Sequence, residues 1–293
     1  MKILKNFFFF LTFISYISHS QTNHEFYGAI KLKGDDKKMI TYRLVFAEKN
    51  GLIKGYSVTD LDGSHETKNL ISGSYDKKNK IFTFKEDDIL YTKSKFSEDS
   101  FCFVNFTGKV KLIEKTSKLE GEFKGLFNNK TKCIDGTLTL IGSDKIFNLV
   151  TKVNKKIQKS KKIDETSKEK YNPIKILDSL KINKITKDED LIVFTKSTKV
   201  TVSFYDDAQE DGDIINILQN NQYVLRNYKI TKNKKNITLD LVKGENEFTI
   251  EAVNEGSISH CTARIEIIDQ ERSFDLLAIL KKDDKAKISI MKR

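Results

Sequence analysis

"MITYRLVFAEKNGLIKGYSVT", residues 39–59, decides the fold. Apolar and polar residues alternate on either side of Asn50-Gly51, the period expected of strands with one buried and one wet face. Asn-Gly supplies the positive φ angles of a tight antiparallel turn. The stretch predicts a hairpin.

The same pattern extends in both directions. "FYGAIKLKG" precedes it, and "ETKNLISGSYDKKNK", "IFTFKEDDILYTKS", "SFCFVNFTGKVKLIEKTSK", "LEGEFKGLF" and "CIDGTLTLIG" follow. These runs are rich in Ile, Phe, Tyr, Val and Thr. Polar tips such as Asp76-Lys77-Lys78-Asn79 and Lys115-Thr116-Ser117-Lys118 separate them. The sequence contains a single proline, so little forbids pairing inside the runs. Roughly eight strands joined hairpin to hairpin predict an antiparallel meander over residues 21–150 that curls into a small barrel, calycin-like in outline. Gly28, Gly55, Gly73, Gly121 and Gly125 fall inside strands and predict bends or bulges. A barrel of that size either fills with its own side chains or holds one small ligand, and the pattern is compatible with both.

Residues 176–293 repeat strand signals about every ten residues, the spacing of a β-sandwich. Val200, Val202 and Phe204 share one face of their run, and Phe248, Ile250 and Ala252 share one face of theirs. Two such faces pressed together predict the core. The expected class is all-β, a meander or barrel followed by a sandwich.

Between the two lies a basic stretch. Residues 151–175 carry nine lysines against three acids, a large part of the chain's net charge of +11. With few large apolar residues and Pro173 near its end, it reads as a lysine-rich linker or a frayed surface helix. A contact with nucleic acid or another anionic surface is the lesser reading, because a lysine run is usually solvated, and with no interleaved aromatics to form a stacking platform nucleic acid is not an expected partner.

The beginning of the chain reads as an address. Lys2 and Lys5 precede an apolar run from Phe7 to Ile17, too short to span a bilayer comfortably, and Ser18-His19-Ser20 offers a cleavage point. Residues 1–20 are expected to be a secretory signal, with Gln21 rather than a lipid-bearing Cys as the next residue. Later segments lack the run of apolar residues that a transmembrane helix needs. The expected location is the periplasm, the cell surface or the medium. An oxidising compartment permits disulfides, and Cys102 and Cys133 are the expected pair, closing a loop of about thirty residues worth ~3 kcal/mol. Cys261 is expected to stay unpaired and buried.

Asp206, Asp211-Gly212-Asp213, Ile215, Ile217, Asn220, Val224-Leu225, Asn227-Tyr228, Leu241, Gly244 and Asn246 have a characteristic spacing, continued by Ala252, Asn254, Gly256-Ser257-Ile258 and Thr262-Ala263. Over residues 198–293 this resembles a recurring exported β-sandwich module of Gram-negative bacteria of gliding and commensal habit. The resemblance implies the fold and the compartment and names no activity. It departs from the module where Ser259, His260 and Cys261 replace P-P-N.

"YDDAQEDGD", residues 205–213, is the candidate metal loop, with Asp207, Glu210, Asp211 and Asp213 as ligands to calcium. Asp207, Gln209, Asp211 and Gly212 fit the opening of an EF-hand, but its twelfth position is Leu218. Asn254, Glu255 or Asp269 are distant oxygen donors that would complete a different cage. The competing reading is a turn at Asp211-Gly212 with the other acids keeping the loop wet. A second polar cluster, Asp60, Asp62, His65 and Glu66, is a candidate binding site of a kind suited to zinc, or a hairpin loop turning at Asp62-Gly63.

No nucleophile elbow, zincin motif or phosphate loop occurs, so catalytic residues are not assigned. The expected function is an exported, non-enzymatic binding or scaffold protein with a protein, glycan or small-molecule partner, possessing a calcium-steadied loop. The alternatives are a small-molecule carrier using the barrel as a cup and, more remotely, a hydrolase with paired carboxylates.

Overall fold

The computed structural model describes residues 23–34, 39–110, 117–206, 209–257, 260–270 and 272–293. The signal expected at residues 1–20 lies outside these. The chain is all-β apart from a short helical insert.

Eight strands come first: β1 (Asn23–Leu32), β2 (Met39–Lys49), β3 (Leu52–Thr59), β4 (Thr67–Asp76), β5 (Ile81–Thr92), β6 (Phe103–Lys109), β7 (Lys118–Leu126) and β8 (Lys132–Gly142). Each pairs antiparallel with the next, and β8 returns to β1 with Ile30 opposite Leu138, which closes the barrel. Asn50 and Gly51 hold φ of 53° and 80°, the two left-handed residues required by the hairpin between β2 and β3.

Closure needs strong curvature, and small residues provide it. At Gly28, Gly55 and Gly73 an added Cβ would overlap the backbone of the neighbouring strand, at Thr139, Val45 and Thr83 respectively. Inside, alternate residues meet across the lumen. Phe46 and Phe82 have ring centroids 4.8 Å apart, Phe84 and Phe106 5.3 Å, and both pairs are buried with Tyr42, Leu44, Leu138 and Leu140. Each large side chain so buried contributes about 1.5–3 kcal/mol. The middle of the barrel is a core, not a cup. Cys102, just before β6, and Cys133, in β8, form a disulfide with Cα atoms 6.1 Å apart.

The lysine-rich stretch is largely helical: α1 (Ser143–Lys159), α2 (Glu165–Lys170) and α3 (Pro173–Ser179). Side-chain caps set the short helices. Asp164 accepts from Ser167 N at 2.8 Å, and Asn172 accepts from Ile174 N at 3.0 Å with Pro173 in the first turn.

Ten strands follow: β9 (Lys184–Ile185), β10 (Asp190–Thr195), β11 (Lys199–Tyr205), β12 (Ile214–Gln219), β13 (Gln222–Lys229), β14 (Lys235–Asp240), β15 (Gly244–Ala252), β16 (Cys261–Ile268), β17 (Ser273–Leu280) and β18 (Lys285–Lys292). They form two facing layers, β13-β12-β15-β18-β10 and β14-β11-β16-β17-β9. Val200, Val202 and Phe204 meet Phe248, Ile250 and Ala252 in one core, with the Phe204 and Phe248 rings 6.0 Å apart and nearly parallel. Both layers are mixed, because β10 runs parallel to β18 and β9 parallel to β17.

Barrel and sandwich are joined edge to edge. Tyr91 and Thr92, at the end of β5, pair with Val193 and Ile192 of β10, so a single sheet of thirteen strands passes from one body into the other. Charges line the junction: Lys93 lies 3.2 Å from Glu189, Lys95 2.9 Å from Asp190, and Arg293 2.7 Å from Glu98 while also pairing with Asp88. The seam buries Tyr91, whose ring lies 4.9 Å from Phe274.

Candidate functional site

Asp206, Asp211-Gly212-Asp213, Asn254, Gly256 and Thr262 of the spaced pattern meet at one corner of the sandwich, whereas Asn220 and Asn246 work by the start of β15, accepting from Glu247 N at 3.0 Å and Val242 N at 2.9 Å. At the corner the chain leaves β11, enters β12, leaves β15 and enters β16. Asn254 braces the corner: its Oδ1 accepts from Ile214 N at 2.7 Å and its Nδ2 donates to Gly212 O at 3.1 Å. Gly256 has φ of 59°, and a Cβ there would stand 2.6 Å from the Asp211 carboxyl. Ser257 N donates to Asp211 O at 3.1 Å. Asn254 and Gly256 therefore fix the acidic loop.

Three acids turn toward the interior at this corner. Asp206 is buried, Asp211 is partly buried, and Asp213 is only 1% exposed. Asp213 Oδ2 accepts from Thr262 N at 2.7 Å, while its Oδ1 is buried with no hydrogen-bond partner among the described residues. Burial pushes the Asp213 carboxyl up to about 6, assisted by the charges of Asp211 and Asp206 against the opposing hydrogen bonds from Thr262. Cys261 sits among the same groups. Burial first, then Asp213, Asp211, Glu255 and Asp206, push its thiol up to about 12. A thiol in such surroundings packs as a small apolar group, with little thiolate for metal or nucleophilic chemistry.

The other proposed ligands are dispersed. Asp207 lies outside the described residues. Glu210 turns to the exterior and accepts from Lys232 N at 2.5 Å. Glu255 accepts from Lys282 N at 3.0 Å, and Asp269 holds Arg272 at 3.0 Å across the sandwich's opposite end. Among the described residues, no three His, Cys, Asp or Glu side chains form a ready group of metal ligands.

Asp60, Asp62, His65 and Glu66 occupy a loop between β3 and β4, each with a local task. Asp60 Oδ2 accepts from His65 N at 3.0 Å, and Gly63 N closes the turn on Asp60 O at 2.8 Å. Asp62 takes φ of 59° and donates its N–H to Glu66 Oε2 at 2.6 Å. Glu66 turns inward and accepts from Tyr91 at 2.7 Å. His65 faces Ser94 at 3.3 Å and stacks on Phe96. Their oxygens organise the loop and the seam.

A groove of about 1300 Å³ follows one hydrogen-bond row across seven barrel strands, through Leu32, Gly136, Phe123, Phe106, Phe84, Gly73 and Ile53. Its rims are the flanking residues, including Lys54, Lys85, Lys124 and Glu122, which are exposed, whereas Phe84, Phe106 and Phe123 are no more than 4% exposed. The opening therefore lies on the barrel's outer wall and not in its lumen.

Sequence reasoning missed one buried site altogether. Glu86 is inside the barrel, where Oε1 accepts from Tyr42 at 2.8 Å and Ser57 at 2.6 Å, and Oε2 accepts from Val104 N at 2.7 Å. In "IFTFKEDDILYT" it falls in phase with Phe82 and Phe84, and that phase was the available signal. No family model, curated protein or solved structure matches the chain.

Proposed function

We propose that this is an exported binding or scaffold protein of the bacterial envelope or surface, whose sandwich corner is steadied by a calcium ion. The observation that carries the cation is Asp213, a carboxylate 1% exposed with one oxygen unpaired, beside Asp206 and Asp211. A buried anionic oxygen without a donor is costly, and a hard cation with mixed carboxylate and carbonyl ligands relieves it. Asp211, Asp213 and the loop carbonyls are the groups placed to contribute. The aromatic filling of the lumen gives the carrier reading no foothold. Export rests on residues 1–20 and the disulfide is in keeping with it.

Thermal unfolding in calcium and in chelator tests the cation. Saturating calcium at about a hundred times its Kd is expected to add about 2.7 kcal/mol to the stability of the wild-type chain. The Asp213→Asn variant is expected to lose that response. An unchanged midpoint in the wild type ends the calcium reading.

A further inference from the structure

We infer that α1, with the neighbouring end of α3, is a membrane-surface element that lays the protein on an anionic lipid bilayer. This goes beyond the corner site and does not depend on it.

The helix has two unlike faces. Ile146, Val150, Asn154 and Ile157, at i, i+4, i+8 and i+11, are half-buried, the side that packs toward α3 and the barrel end. Lys145, Leu149, Lys152, Val153 and Lys156, at i, i+4, i+7, i+8 and i+11, form the adjoining face, and all are exposed. No residue of the helix is fully buried. Leu149 is 48% exposed and Val153 49%, whereas Phe147, 47% exposed, stands on the opposite side of the helix. Ile176 in α3 and Tyr171 just before it are exposed as well, at 48% and 57%. Five of the large apolar side chains left in water thus belong to one short stretch of sequence.

The charge on this helix is mostly of one sign, its one acid, Asp144, lying in the first turn. Lys145, Lys152, Lys155, Lys156 and Lys159 in α1 form no ion pair among the described residues, whereas Lys168 and Lys175 just beyond are paired with Glu165 and Glu169. Lysines interleaved with exposed leucine and valine on a helix face turned to water suit the interface of a bilayer. There the apolar side chains enter the headgroup boundary and the ammonium groups meet lipid phosphates. An acidic protein partner would need a groove to receive a convex helix. A nucleic acid would satisfy the lysines and leave the apolar side chains in water.

Co-sedimentation separates these. The chain from Gln21, which contains every described element and lacks the apolar leader, is mixed with vesicles of phosphatidylglycerol and phosphatidylcholine, with vesicles of phosphatidylcholine alone, and with a DNA duplex. Binding to the anionic vesicles is expected at low salt, at least tenfold weaker on neutral vesicles, and lost at high salt. Leu149→Ser with Val153→Ser tests the apolar contribution, and Lys152→Glu with Lys156→Glu the charge. Each pair is expected to weaken anionic-vesicle binding at least tenfold while thermal midpoint and circular dichroism stay as in wild type. The inference is overturned if the wild type fails to sediment with anionic vesicles, if either folded double variant binds them as the wild type does, or if the duplex binds more tightly than the vesicles.

Discussion

Two buried carboxylates, one in each body, show how differently the same group is accommodated. Glu86 in the barrel receives donors on both oxygens, from Tyr42, Ser57 and the backbone of Val104. Asp213 in the sandwich receives donors on one oxygen only. Burial raises the pKa of both. A carboxylate met on every side is part of the architecture, because its neighbours depend on it as acceptor. A carboxylate met on one side marks a place still able to take a ligand.

The strongest test of that distinction is Glu86→Ala. It strands the Tyr42 hydroxyl, the Ser57 hydroxyl and the Val104 N–H in an apolar lumen, and each orphaned group costs roughly 1–3 kcal/mol. A loss of about 3–5 kcal/mol by urea unfolding is expected, with any calcium response retained. A variant as stable as wild type would show that the network contributes nothing net. Reduction of the disulfide comes next. Cys102 and Cys133 are 31 residues apart in sequence, which corresponds to about 3–4 kcal/mol in the chain-entropy model. The bond ties the entry of β6 to the start of β8, so its loss is expected to open the barrel before the sandwich. Hydrogen exchange after reduction should rise in β6 to β8 and remain slow in β15 and β16. Uniform acceleration in both bodies would mean that the shared sheet makes them a single unfolding unit.

That coupling was the least legible part of the chain. The Asn50-Gly51 hairpin, the glycine bends and the packing faces of β11 and β15 could be read from residue order, because turns and alternating faces are local consequences of local sequence. Tyr91 and Thr92 pairing with β10 could not, since edge pairing between bodies about a hundred residues apart leaves no local period. The helices at 143–179 were obscured for a related reason. A lysine-rich run has the same composition as tether and as surface helix, and the caps Asp164 and Asn172 are short signals. At the candidate site, the spacing of Asp211, Asn254 and Gly256 was visible, but the direction of each carboxylate was not. Glu210 and Asp213 stand three residues apart in one acidic run, yet one turns to water and the other into the core.

The direction of Asp213 carries the smallest predicted effect and the most specific one. Its carboxyl rises from an ordinary 3.8 to about 6 in the folded chain, so the fold favours the protonated form. The stabilisation linked to that proton is complete below about pH 4, shrinks as pH climbs, and is gone above about pH 6. With solvent screening allowed for, the change is on the order of 1 kcal/mol. In chelator, the melting temperature of Asp213→Asn should therefore decline less than that of wild type between pH 4.5 and 7, since the amide has no proton to lose. Glu86 titrates in the same sense but is common to both chains, so the difference between them isolates the corner. Calcium at pH 7 should close the gap from the wild-type side by giving the ionised oxygen a partner. Parallel pH profiles for the two chains, with and without calcium, would mean that the Asp213 carboxylate is already satisfied in solution and belongs with Glu86 after all.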